Sequence, residues 1–172
     1  EVNKISDIYL EGYDMKESLD KGSRGVAYKV FSRELRKNRI LKIMNSEKQN
    51  SKEAELMAKL EGKDLENIVQ IYEASKNSVK VKKKPVYSII MEYLDGEKLT
   101  SVIKSGLSDD KVLEYSVQIF NGIKSLREHG IFHRDLRPDN IMIMRDYIVK
   151  KSWKDMDNYG NFKIKKKDLL KI

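Results

Sequence analysis

The spacing of apolar residues changes several times along the chain, and each change marks an element. Alternation at 14–20, 25–31 and 38–44 predicts three strands. Lys21-Gly22-Ser23-Arg24 joins the first two, and the third carries Ile40, Leu41 and Ile43. From 46 to 60 the period lengthens to that of a helix. Glu53, Leu56, Met57 and Leu60 fall at i, i+3, i+4 and i+7, Ser46 with Gln49 makes a capping box, and Gly62 supplies a stop. Two further strands are expected near 69–75 and 86–92, joined by a basic loop, with 93–97 as a short connector. A long helix is then expected from about Asp109 to Glu128. Ser108 is its N-cap, two acids occupy its first turn, and Val112, Tyr115, Ile119, Ile123 and Leu126 form its apolar stripe up to Gly130. Residues 131–140 are too punctuated by charge and by Pro138 to be regular. A strand is expected at 141–144, then a hairpin-like insertion around Gly160-Asn161 and a last strand, Asp168 to Ile172.

Composition narrows the class. The chain has 172 residues, 40% hydrophobic and 36% charged, enough for one sizeable core or two small ones sharing a cleft. No run approaches the roughly 18 apolar residues of a membrane span, and the first residues lack the apolar core of a secretory signal. Cysteine is absent, which removes disulfides and thiolate metal sites and fits a cytoplasmic protein. The net charge of +8 is uneven: residues 141–172 hold nine Lys/Arg and four Asp/Glu, and Lys76–Lys84 forms a second basic run. A solvated hairpin tip and a basic tail explain both runs. Neither interleaves aromatic residues for stacking, so nucleic acid is not the expected partner.

The chemistry concentrates in His133-Arg134-Asp135-Leu136-Arg137-Pro138-Asp139-Asn140, which fills all the fixed positions of H-R-D-L-x-x-x-N. An aspartate that takes or orients the proton of an attacking hydroxyl must share a site with an amide that holds Mg²⁺. A turning loop achieves this within five residues. A second pairing follows from periodicity. Glu53 lies on the apolar stripe of its helix, where an unpaired carboxylate is costly, whereas Glu55 lies about 200° around the axis. Lys42, on the strand face opposite Leu41 and Ile43, is the candidate partner. His133 suits packing and backbone hydrogen bonding rather than metal binding, and His129 suits a helix C-cap.

On these motifs the chain resembles the protein kinase family, and the resemblance runs from about Leu19 to Ile172. It implies an α+β, protein-kinase-like fold of two lobes. The small lobe would span 1–92, with an antiparallel sheet and one helix, followed by a hinge at 93–97. A partial large lobe, mainly helical, would span 98–172 with an insertion at about 145–167. Leu19 to Ala27 resembles the glycine-rich loop. Gly22 and Gly25 stand in for its second and third glycines, while Asp20 replaces the first and Ala27 the valine. The cofactors implied are ATP and Mg²⁺. Leu19, Gly22, Ser23, Arg24, Gly25, Ala27, Lys42, Met91, Glu92, Leu94 and Met142 would bind nucleotide, Met91 as gatekeeper and Met142 as floor. Asp135, Lys42, Glu53, Asn140 and Arg137 would be catalytic, with Asn140 the metal ligand. Pro138 and Asp139 resemble serine/threonine kinases, where Arg137 usually is lysine. A protein substrate is thereby implied.

The family's D-F-G and A-P-E motifs are absent, so the chain reads as stopping short of the metal-binding aspartate. Two alignments are open. Either Asp168–Ile172 is the strand that leads into D-F-G, or Val149–Trp153 is, which would put Trp153 at the aspartate's position. The apolar pattern of Asp168–Ile172 favours the first. Two readings of function also remain: a serine/threonine kinase fragment, inactive alone, or a catalytically impaired scaffold that binds nucleotide or a partner. Small-molecule kinases share the fold but resemble H-G-D rather than H-R-D. A partial large lobe would leave the apolar side of the long helix open to association.

Overall fold

The computed structural model describes residues 4–22, 25–44, 54–148 and 166–172. They form two compact units, Glu1–Leu65 with Val69–Tyr93, and Glu66–Ile68 with Leu94–Ile172.

The first unit is a six-stranded antiparallel sheet in the order β1-β5-β6-β4-β3-β2. Its strands are β1 (Ile8–Leu10), β2 (Tyr13–Gly22), β3 (Gly25–Ser32), β4 (Lys37–Met44), β5 (Ile71–Val81) and β6 (Lys84–Glu92). Strict alternation sends Val26, Tyr28, Val30, Leu41, Ile43 and Ile90 to one face, where they join Val79, Val81, Ile8 and Leu10 in a closed core. β1 is too short to show a period, yet it covers the edge of β5 by pairing Ile8 with Val81 and Leu10 with Val79. Helix α1 is described over 54–58, and Gly62 stops it with φ of +70°. The capping box at Ser46 and Gln49 lies outside the described residues.

The expected basic loop at 76–84 is for the most part strand. β5 continues to Val81, and only Lys82 and Lys83 turn, with φ of 49° and 67°. Val79 and Val81 are buried while Lys80 is exposed, so the lysine charges stay in water and do not interrupt the ladder.

The second unit contains β7 (Glu97–Lys98), α2 (Leu99–Lys104), α3 (Asp109–Glu128), β8 (Met142–Ile148) and β9 (Lys166–Lys171). The three strands form an antiparallel sheet in the order β7-β8-β9. α3 has the expected ends. Ser108 Oγ accepts from the Lys111 N–H at 3.4 Å, His129 Nδ1 lies 2.7 Å from the Ser125 carbonyl, and Gly130 has φ of +70°. Its buried face differs from the expected stripe. Tyr115 and Leu126 are buried, but their companions are Gln118 and Gly122, while Val112 and Ile123 are 48% and 39% exposed. The amide of Gln118 makes the burial possible: Oε1 accepts from Asn67 Nδ2 (3.1 Å) and from the Leu170 N–H (2.9 Å). Asn67 Nδ2 also donates to the Leu170 carbonyl, and the Asn67 carbonyl accepts from the Ile172 N–H. A Cβ on Gly122 would stand 2.8 Å from Ile172 Cδ1 and 3.1 Å from the Asn67 carbonyl oxygen, so close packing selects glycine there.

β9 supplies the expected terminal strand, running antiparallel to β8 with Leu170 buried opposite Ile143. Trp153 and Gly160-Asn161 lie outside the described residues. α2 was not anticipated; its burial rests on just two apolar side chains, Leu99 and Val102. Among the described residues no helix is long and apolar enough to cross a membrane.

Candidate active site

In the first unit, the sheet face opposite the core carries the candidate nucleotide residues. Register sets Ala27 opposite Lys42 and Lys42 opposite Ile89. One step further along, Lys29 is opposite Ile40 and Ile40 opposite Met91. Directly opposed residues point to the same side, so Ala27, Lys29, Ile40, Lys42, Ile89 and Met91 share this face. Lys42 is half-buried there, while Leu41 and Ile43 are buried on the other. Glu53, Ser23 and Arg24 lie outside the described residues. Gly22 and Gly25 form the last pair of the β2–β3 ladder. A Cβ on Gly25 would come within 2.3 Å of the Ile43 carbonyl oxygen, so β4 itself demands glycine here whatever binds nearby. Leu19 is exposed on β2.

Lys29 is held on this face. Its ammonium lies 4.5 Å from the centre of the Tyr93 ring and 3.6 Å from Glu17, and its pKa is raised, first by the Tyr93 hydroxyl. Glu92 ends β6. Its N–H donates to the Gln70 carbonyl at 2.9 Å, and its carboxylate accepts from the Gln70 N–H at 3.3 Å, so the side chain is committed away from the half-buried face. Leu94 is half-buried just beyond.

In the second unit, the loop between α3 and β8 is anchored by buried Ile131 and Ile141 at its ends, with mostly exposed residues between them. Arg134 has φ of 62°, a left-handed conformation unusual for arginine. The Asp135 N–H donates to His133 Nδ1 at 3.3 Å, giving the histidine its expected backbone role. Pro138–Asn140 forms a single 3-10 turn that brings the amide back toward the carboxylate. Asn140 Nδ2 donates to the Asp135 carbonyl at 2.9 Å and to Asp135 Oδ2 at 3.2 Å. Arg137 Nε stands 3.8 Å from Asp135 Oδ1. Thr100, at the start of α2, donates through its hydroxyl to Asp139 Oδ1 at 2.8 Å and so ties the turn to a helix. Sequence reasoning missed this contact, because it depends on α2. Met142, half-buried, opens β8 opposite Lys98 and Lys171.

The family model for the protein kinase domain matches residues 13–154. The chain belongs to the protein kinase domain family. Among its relatives are the probable serine/threonine-protein kinase of Clostridium acetobutylicum, 28% identical over 153 residues, and human serine/threonine-protein kinase Nek5, 29% identical over 150. These matches cover 85% and 83% of this chain but only 22% and 20% of the relatives, so the chain spans about a fifth of their length. The crystal structure of Rad53 1-466 in complex with AMP-PNP is similar with a TM-score of 0.65 and 26% identity, over 79% of this chain and 36% of that one. The kinase fold expected from the motifs is therefore the fold of the chain, with a sheet in the first unit and a few helices, chiefly in the second.

Proposed function

We propose that this kinase-family chain carries the nucleotide-binding face and catalytic loop of a protein serine/threonine kinase, which moves the γ-phosphoryl group of ATP to a hydroxyl of a protein substrate. The observation that carries the reading is the return of Asn140 onto Asp135, whose backbone carbonyl and carboxylate each accept a hydrogen bond from the one amide nitrogen in an otherwise exposed loop. In this reading Asp135 takes the proton of the acceptor hydroxyl. The hydroxyl oxygen bonds to the γ-phosphorus as the bond to the bridging oxygen breaks, and ADP leaves. Arg137 contributes positive charge beside the transferred group. Lys42 holds the nucleotide phosphates and Glu53 orients Lys42. Backbone N–H groups between Gly22 and Gly25 approach the phosphates. For the base, the resemblance assigns Leu19, Ala27, Met91 and the backbone of Glu92 in the first unit, and the backbone of Leu94 and Met142 in the second.

The donor set suits magnesium. Both hydrogen bonds from Asn140 to Asp135 use its amide nitrogen, leaving the amide oxygen, a hard donor, for the cation. Among the described residues no three His, Asp or Glu side chains converge, so Asn140 would share the ion with phosphate oxygens and water. Bound there, Mg²⁺ supplies charge neutralisation on the phosphates. A cytoplasmic setting accompanies the reading, in keeping with the lack of cysteine. The scaffold alternative draws no support from the relatives.

The test is transfer of radiolabelled γ-phosphate from ATP to protein by the full-length protein and its Asp135→Asn variant. Loss of about a hundredfold or more is expected for the removal of a general base. Undiminished transfer in the variant would remove Asp135 from the mechanism.

A further inference from the structure

Lys82 and Lys83 make the two-residue turn between β5 and β6, with φ of 49° and 67°. Such turns prefer Asn-Gly, because an ordinary β-carbon is strained in the left-handed region. The stretch from Lys76 to Lys84 holds five lysines and no acid. Lys80, Lys82, Lys83 and Lys84 are exposed, and the ion pairs among the described residues engage none of them. Like charges and a strained turn each lower stability. Folding favours neither, so the charge points to a use outside the fold.

Tertiary structure adds a second feature. β1 lies along β5 with Tyr9 opposite Lys80, and Lys80 is opposite Pro85 on β6. Directly opposed residues share a face, so the three form a row on the side away from buried Ile8, Val79 and Val81. All three are exposed, Tyr9 by 59%. Asp7 adjoins the turn, its carbonyl accepting from the Lys82 N–H at 2.9 Å, but one carboxylate leaves the lysines in excess.

Single-stranded nucleic acid is held in a basic groove where successive bases stack on aromatic rings. Here the lysines cap the end of a hairpin, with one exposed tyrosine beside them. That combination suits the headgroup layer of a bilayer, where a tyrosine ring lies at the interface and ammonium groups meet lipid phosphates. We propose that the β5–β6 tip, with Tyr9 beside it, docks reversibly on an anionic phospholipid surface. The inference does not depend on the nucleotide-binding reading.

Flotation of the 172-residue chain with vesicles of phosphatidylcholine and phosphatidylserine, against phosphatidylcholine alone, tests it. The mixed vesicles should carry the chain and release it as salt rises, and the neutral ones should not carry it. Lys82→Asn with Lys83→Gly should weaken binding about thirtyfold, near fivefold for each charge removed. Because Asn-Gly suits the turn, thermal melts should show this variant at least as stable as the parent. Should it fail to fold, Lys80→Gln with Lys84→Gln removes the same charge outside the turn. Lys82→Arg with Lys83→Arg keeps the charge and should bind like the parent. Equal binding to both vesicle types, undiminished binding after charge removal, or loss in the arginine variant would overturn the proposal. So would tighter binding to polyuridylate or polyglutamate than to the mixed vesicles, which would assign the tip to nucleic acid or to an acidic protein.

Discussion

Tyr28 and Tyr72 carry phenols in the first unit whose pKa values burial pushes above the ordinary 10.0. For Tyr72 the Arg39 guanidinium, 4.0 Å from the ring centre, pulls the other way, but desolvation is the larger cause. A raised folded-state pKa means that the native chain keeps its proton where the unfolded chain has lost it. Stability is therefore full below pH 10 and falls as pH rises through the folded-state values. Lys29, raised above 10.5 chiefly by Tyr93, works in the same direction. Thermal melts from pH 8 to 11 should show a midpoint that drops above pH 10, and Tyr72→Phe should make that drop shallower. An unchanged slope in the variant would remove Tyr72 as a contributor. At this scale the face of Lys42 and the irregular course of the 133–140 loop could be read in advance, because alternation along β4 and the position of Pro138 set them locally. The need for glycine at 25 and 96 could not. A Cβ would come within 2.3 Å of the carbonyl oxygens of Ile43 and Ile143, atoms brought near by strand pairing alone.

The β5–β6 hairpin shows what decides an element's limits. Lys76–Lys84 reads as a charged loop, yet the ladder runs to Val81 opposite Lys84 because Val79 and Val81 bury their side chains. That leaves two residues to turn in the primed geometry, which prefers Asn-Gly, and both are lysines with positive φ. Lys82→Asn with Lys83→Gly should stabilise the chain by about 1 kcal/mol, because asparagine tolerates positive φ better than lysine and glycine has no β-carbon to strain. Denaturant titration would read this as a higher midpoint at constant slope, and a lower midpoint would show that the lysines hold the turn by other contacts. α3 teaches the complementary lesson. Its ends were legible because Ser108, His129 and Gly130 act locally, whereas its buried face was not. Gln118 and Gly122 are invisible to apolar periodicity, and they are buried only because the stretch around Asn67 and strand β9 meet them.

Across the whole molecule, the apolar surplus of the second unit stands out. Leu113, Val117 and Phe120 recur at i, i+4 and i+7 on α3 and are 68%, 52% and 66% exposed. A contiguous apolar stripe of this kind favours association in water. The 172-residue chain is therefore expected to sediment as larger species at rising concentration. Leu113→Lys with Phe120→Lys should return it toward the mass of a single chain while circular dichroism keeps its helical signal. Association undiminished in the double variant would locate the contact elsewhere.

Motif spacing, strand alternation in β2–β4, the ends of α3 and the strand at the C-terminal side of the chain were all determined by the sequence. Each rests on interactions among residues a few positions apart, and covalent connection already holds those residues near one another. The remainder required the folded chain. β1 is a strand because Val81 is there to pair with it. α2 places Thr100 against Asp139, 39 residues away. Gln118 is buried because backbone and amide groups from Asn67 and Leu170 satisfy it. In each case a short or polar segment has no period of its own, and only a partner distant in sequence makes its burial favourable.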